Sequence, residues 1–285
     1  MKISKTKVIS YDGLPLTVFQ TPLDKPKTLL FVNAFGIKAA ASFDLASSLY
    51  RHGINFLTWD TRGLPGEHGD NFREYTVLTH VKDLFSIIEH FQLDKTHLLG
   101  WCAGAEIALF ASRENDSRLL NIILVNGAFS FSETIEPSGF AGKAALTMVK
   151  RIVSQESYAG FYYKVYTSYK DYGEMMGLSN NKKLAEIVSS AFRESPEGLI
   201  RYAYLIRNQL DNNIDGWIDE VKKQSYVLFS LDDQLANNRN SQLIAQKLNT
   251  KNVRIFNEGG HYNLFFHQPV INEIIAIING NERFE

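Results

Sequence analysis

The only cysteine of the chain stands in the pattern Gly100-Trp101-Cys102-Ala103-Gly104. It follows the apolar pair Leu98-Leu99 and precedes a helix-forming stretch, Ala105-Glu106-Ile107-Ala108-Leu109. A short strand that turns at such a residue straight into a helix presents its side chain at the apex of an elbow. The residues two positions to either side must be small, because a Cβ there would collide with neighbouring backbone, and Gly100 and Gly104 meet that need. The helix beginning near Ala103 would aim its first amides and its positive dipole end at Cys102, an environment that favours a nucleophilic thiolate. The plainer alternative is a free cysteine serving as one more small buried apolar residue. A nucleophile needs a base and a group to orient that base, so the rest of the chain has to supply them.

The elements that would carry those partners follow the pattern of an α/β protein. Runs 8–11 and 14–20 flank Asp12-Gly13, a two-residue hairpin signal. Continuous apolar runs at 28–33, 54–59, 119–125, 225–229 and 252–256 read as strands buried on both faces, as does the 97–100 strand that enters the elbow. Helical spacing of apolar residues marks a helix through Phe43, Leu45, Leu49 and Tyr50, another over 76–91 and a closing one over 270–279. Three strand–helix units therefore precede residue 126, and the expected core is a mostly parallel central sheet flanked by helices. From about 131 to 217 strands vanish, helical periodicity persists and aromatic residues gather, including Tyr158, Phe161, Tyr166, Phe192 and Tyr202. The expected organisation is a core of 1–130 and 218–285, with 131–217 inserted as a helical cap or lid.

In an open parallel sheet, reactive groups gather beyond the carboxyl ends of the strands. Taken in order, those ends are Asn33 to Gly36, Asp60 to Gly63, Cys102, Asn126-Gly127, Asp232-Asp233 and Gly259-Gly260-His261. A nucleophile, an acid and a histidine thus lie on one rim, with Asp232 and Asp233 competing for the acid. His261 follows two glycines after a strand, whereas His267, before Gln268-Pro269, reads as the end of a loop or a cap on the last helix. Asp60 and Arg62 read as a structural pair within their loop.

Composition narrows the classes further. The 285 residues can hold one large α/β domain or two smaller ones, and 45% hydrophobic with 21% charged residues is ordinary for a globular protein. With 30 Lys plus Arg against 31 Asp plus Glu, nothing electrostatic favours nucleic acid or an anionic membrane. No apolar stretch of signal-peptide or membrane-span length is present, and the expected location is the cytoplasm. One cysteine excludes an intrachain disulfide and any multi-cysteine metal site; no metal or other cofactor is called for.

Together these motifs resemble the α/β-hydrolase superfamily from Thr28 to the terminal helix. Gly100-Trp101-Cys102-Ala103-Gly104 is similar to the family's nucleophile elbow, with cysteine in place of the usual serine. Val32-Asn33-Ala34-Phe35-Gly36 looks like its oxyanion-hole turn, Asp60-Thr61-Arg62-Gly63 like its Asp-x-Arg-Gly loop, and Gly259-Gly260-His261 like the loop bearing the base. The resemblance implies Asp233 as the acid, after Ser230-Leu231-Asp232. It implies that His261 accepts the Cys102 proton or stabilises a thiolate, that Asp233 orients His261, and that the amides of Phe35 and Ala103 hold an oxyanion.

Cysteine at this position resembles polyhydroxyalkanoate synthases, dienelactone hydrolases and thioesterase-like or Dieckmann-type cyclising enzymes. The chain is short for the first, and its insertion is large for the second. In the cyclases the acid can follow the strand after the elbow, where Asn126-Gly127-Ala128 offers no carboxylate. An acyl-cysteine is itself a thioester and stays reactive toward water, alcohols, amines or carbon nucleophiles. The expectation is therefore a thioesterase or acyltransferase acting on an apolar acyl or ketide thioester of coenzyme A or a carrier protein. A small-ester or lactone hydrolase is the alternative, and a catalytically silent ligand-binding protein of the same fold is the reading outside enzymes.

Overall fold

The computed structural model describes residues 2–133, 135–137 and 139–281. Its eight strands are β1 Ser4–Ile9, β2 Pro15–Gln20, β3 Lys27–Val32, β4 Ile54–Trp59, β5 Thr96–Trp101, β6 Leu119–Val125, β7 Gln224–Ser230 and β8 Val253–Phe256. They form one sheet in the order β1-β2-β4-β3-β5-β6-β7-β8, antiparallel through β1 and β2 and parallel from β4 to β8. β4 and β5 are buried at every position, as continuous apolar runs require when helices cover both faces.

Two groups of helices provide that cover. α1 (Phe43–Arg51) and α10 (Gln268–Asn279) pack on one face through Leu45, Leu49, Ile274 and Ile278, against Phe31, Leu99 and Val125. α2 (Val77–His90), α3 (Ala103–Ala111) and α9 (Asn238–Lys247) cover the other, where Val81, Leu84, Ile107 and Ile244 meet Leu30, Leu98 and Ile122. Thr76 begins α2 with a capping box closed by Thr79. His267 occupies the N-cap position of α10, its carbonyl accepting the amides of Val270 and Ile271.

Two local expectations change. The Asp12-Gly13 hairpin is not a two-residue turn, since the last pair is Ile9 with Pro15, leaving Ser10 to Leu14 as the connection. The connection closes through the Gly13 amide on the Ser10 carbonyl and the Ser10 amide on the Leu14 carbonyl, with Gly13 at φ +89°, while the Arg62 guanidinium bonds both Asp12 oxygens at 2.6 and 2.7 Å. Arg62 in turn pairs with buried Asp83 at 2.6 Å, while Asp60 accepts the Ala39 amide, so Asp60 and Arg62 serve separate structural contacts.

Between β6 and β7 lie α4 (Phe140–Ser154), α5 (Tyr158–Ser168), α6 (Tyr172–Met176), α7 (Lys182–Arg193) and α8 (Pro196–Leu210). Met148, Val149, Ile152, Leu199 and Ala203 give these helices a small core of their own. α8 is tied down by polar bonds: Arg201 donates to the Gly63 carbonyl at 2.9 Å, and Asn208 to the carbonyls of Arg73 and Tyr75 at 2.9 and 3.0 Å. Among the described residues no helix is long and apolar enough to cross a membrane.

Candidate active site

Cys102 sits between β5 and α3 with φ 54° and ψ −123°, a backbone conformation that costs a non-glycine residue of order 1–3 kcal/mol and persists only when its surroundings enforce it. The enforcement is visible. The Cys102 amide donates to Val125, and the Cys102 carbonyl accepts from Ala105 and Ala128, both at 3.1 Å. A Cβ on Gly100 would lie 2.4 Å from the Gly104 carbonyl oxygen, and one on Gly104 would lie 2.2 Å from that of Val32. Strand, elbow and helix approach so closely that only glycine fits at both places.

His261 lies on the loop after β8, and its Nδ1 is 2.8 Å from Asp233 Oδ2. Both are buried. Asp233 is oriented by the amides of Leu235 and Ala236, which donate to Oδ1 at 2.8 and 2.9 Å. Asp232 points elsewhere, accepting the amides of Gly260 and Gly259 at 2.8 and 3.2 Å. The two neighbouring aspartates therefore divide the work: one meets the imidazole and the other shapes the glycine turn beneath it.

Further contacts from Trp101 and Asn126 aim the His261 loop. Trp101, the residue before the cysteine, donates from Nε1 to the His261 carbonyl at 2.9 Å. Asn126, at the end of β6, donates from Nδ2 to the carbonyls of Gly260 and His261 at 3.1 and 3.0 Å and to Asn263 Oδ1 at 3.0 Å. Its Oδ1 accepts the Ser230 amide at the end of β7. The sequence marks Asn126 only as a polar residue at a strand end; its part in holding the loop depends on residues far along the chain. Burial works against a charged His261, but the Asp233 carboxylate and then the Cys102 sulfur outweigh it and push the imidazole up to about 10.

The turn after β3 completes the rim. Asn33 accepts the Ala34 amide and donates to the Ile37 carbonyl, which shapes the turn. Gly36 has φ +74°, and the Tyr202 ring of α8 stands 3.0 Å from where its Cβ would be. Among the described residues neither the Phe35 nor the Ala103 amide donates to a protein acceptor. The Phe35 ring packs on His80 of α2, centroids 4.8 Å apart. Burial, with Arg62 adding to it, pushes His80 down to about 3, and neither ring nitrogen has a protein partner.

Cys102 and His261 open onto one cavity of about 200 Å³, whose far wall comes from α4, α7 and α8 through Leu146, Val149, Phe192, Tyr202 and Ile206. Phe192 and Tyr202 lie edge to face at 5.2 Å. Among the described residues no cluster of three or more His, Cys, Asp or Glu side chains could hold a metal ion. A group able to attack, a group able to carry its proton, and free amides beside an apolar chamber are the parts that acyl chemistry uses.

A sequence profile described as the alpha/beta hydrolase fold matches residues 27–268. The chain belongs to that family. Its solved relatives share the architecture at low identity. An esterase from Exiguobacterium antarcticum is 15% identical with a TM-score of 0.73, the alignment covering 97% of this chain and 100% of that one. A bromoperoxidase from Bacillus anthracis is 14% identical, with a TM-score of 0.72 over 97% and 100% of the two chains. A thioesterase domain from the curacin biosynthetic pathway is 12% identical, with a TM-score of 0.67 over 98% and 100%. No curated protein sequence matches this chain. Family and neighbours agree on an α/β-hydrolase fold, in which Cys102 stands between β5 and α3.

Proposed function

We propose that this α/β-hydrolase-family chain is an acyl-transfer enzyme, a thioesterase or acyltransferase, that works through an acyl-Cys102 intermediate. The observation that carries the reading is the 2.8 Å bond between Asp233 and His261 on the wall of the chamber that holds Cys102 at its strained elbow. In this reading the Cys102 thiolate attacks the carbonyl carbon of an acyl thioester, and the oxyanion is held by the Phe35 and Ala103 amides, worth roughly 3 to 4 kcal/mol per donor. The C–S bond to the carrier thiol then breaks, and His261 gives its proton to the departing sulfur. Water, an alcohol, an amine or a carbon nucleophile next attacks the acyl-cysteine, losing its proton to His261 and returning Cys102. Asp233 keeps the imidazole in the tautomer and orientation that both proton transfers need.

The apolar chamber supports an apolar acyl or ketide chain, delivered on coenzyme A or a carrier protein, and the thioesterase domain among the solved relatives is consistent with it. The segment 131–217 then serves as the cap, supplying the substrate-facing wall. The esterase among the relatives favours a second reading, hydrolysis of a small ester or lactone through the same residues.

Intact-protein mass spectrometry after incubation with a panel of acyl thioesters tests the proposal. The native chain should gain the acyl mass, Cys102→Ala should lose the adduct entirely, and His261→Ala should acylate far more slowly. Discharge by water alone identifies a thioesterase, and discharge only with an added nucleophile identifies a transferase. Absence of both adduct and turnover across the panel would overturn the thioester reading.

A further inference from the structure

Glu106 stands one helical turn beyond Cys102 on α3, fully buried in a helix whose other residues are small or apolar. Its Oε2 accepts the Ser130 amide at 2.8 Å and the Gln209 side chain at 3.3 Å, and its Oε1 accepts Asn212 Nδ2 at 2.6 Å. Gln209 also donates to the Ala128 carbonyl at 2.7 Å, and the Ala128 amide donates to the Cys102 carbonyl at 3.1 Å. Ala128, Ser130 and Gln209 all line the chamber. One carboxyl therefore joins the nucleophile's helix, the loop after β6 and the end of α8.

We propose that Glu106 is a positioning residue that clamps the chamber wall to the Cys102 helix and thereby sets which chain lengths reach the sulfur. The proposal rests on reading the chamber as the acyl site. Its physical basis is the fit between partners: three N–H donors converge on two oxygens, and a carboxylate offers only acceptors. A proton would take the free lone pair of Oε1 and leave the three donors facing a neutral group, so each bond loses the charge that strengthens it. Burial raises Glu106 to about 7 even though its Asn212, Ser130 and Gln209 contacts favour the charged form. No charged side chain among the described residues pairs with it. The buried titratable groups of the packed helix α2 are His80, lowered by burial and by Arg62, and Asp83, raised by burial against its pairing with Arg62, and Asp215 beyond the end of α8 is paired with Lys247. The clamp is closed above neutral pH and opens below it.

The test labels Cys102 with ethyl and octyl methanethiosulfonates, in which the cysteine sulfur forms a disulfide to the alkylthio group and methanesulfinate leaves. Intact mass gives both rates, and their ratio cancels the shared thiolate fraction, leaving the wall's effect on chain length. In the native chain the ratio should change about fivefold between about pH 8 and about pH 6, about the net worth of one hydrogen bond spread over three weakened ones. Glu106→Gln should hold the low-pH ratio throughout, and Asn212→Ala, at a half-buried position, should flatten the profile. A ratio independent of pH in the native chain and unchanged by Asn212→Ala would overturn the proposal, whether or not Glu106→Gln folds. Labelling needs no acyl turnover. A clamp that behaves as expected in a chain that consumes no thioester would sink the functional reading alone, and a flat ratio in a chain that turns thioesters over would sink the clamp alone.

Discussion

Around His261 the fold is stitched by directed polar bonds, with Asp233 on its ring, Asp232 on its glycines, and Trp101 and Asn126 on its carbonyl. Across the chamber, α4, α7 and α8 meet through aliphatic and aromatic contacts such as Phe192 with Tyr202. Hydrogen bonds are directional and hold an atom to the few tenths of an ångström that proton transfer demands. Apolar contact is non-directional and tolerates repacking. The turn bearing Phe35 mixes the two regimes, for Asn33 ties it by hydrogen bonds while the Phe35 ring rests on an imidazole without polar partners.

The contrast breaks most visibly at Asp233. Asp233→Asn presents an amide to the imidazole and favours the wrong tautomer, so turnover of the best acyl substrate should fall about 10³- to 10⁴-fold. Steady-state kinetics measures this, and a loss below about tenfold would mean that the neighbours of His261 orient it without the acid.

His80 sharpens the comparison at the Phe35 turn. Its folded pKa is lowered to about 3 from 6.5, so the unfolded chain takes up a proton below about pH 6.5 that the folded chain refuses, and stability falls with pH across that window. Between about pH 7 and about pH 5 the single residue should cost about 2 kcal/mol. Urea unfolding at the two pH values, compared with His80→Leu, isolates it; equal slopes in both chains would show that the imidazole finds a partner. His261 works in the opposite sense, since its raised pKa adds stability that is complete below about 6.5 and lost as pH rises through about 10.

The smallest effect belongs to the chamber wall. Leu146→Ala on α4 removes apolar surface from the substrate side, and the KM of a long-chain substrate should rise about threefold to tenfold while kcat holds. A kcat loss approaching that of Asp233→Asn would erase the distinction between the two walls.

Several features were legible in the order of residues because they arise locally. Buried parallel strands read as unbroken apolar runs, and a strand-to-helix elbow needs small residues at Gly100 and Gly104 whatever surrounds it. The rim of polar strand ends follows from the same reading. Local signals did not reach distant partners: Arg62, 50 residues away, bonds the Asp12 carboxylate. Asp232 and Asp233 are chemically identical neighbours, and only the fold, by bringing the glycine amides to one and the imidazole to the other, separates them. Asn126, Glu106 and His80 gain their contacts in the same way, from partners that tertiary packing brings together. Residue type and spacing thus determined which groups could react and which elements present them. Only the tertiary structure decided which polar atoms meet, because hydrogen bonds depend on distances that chain order does not set.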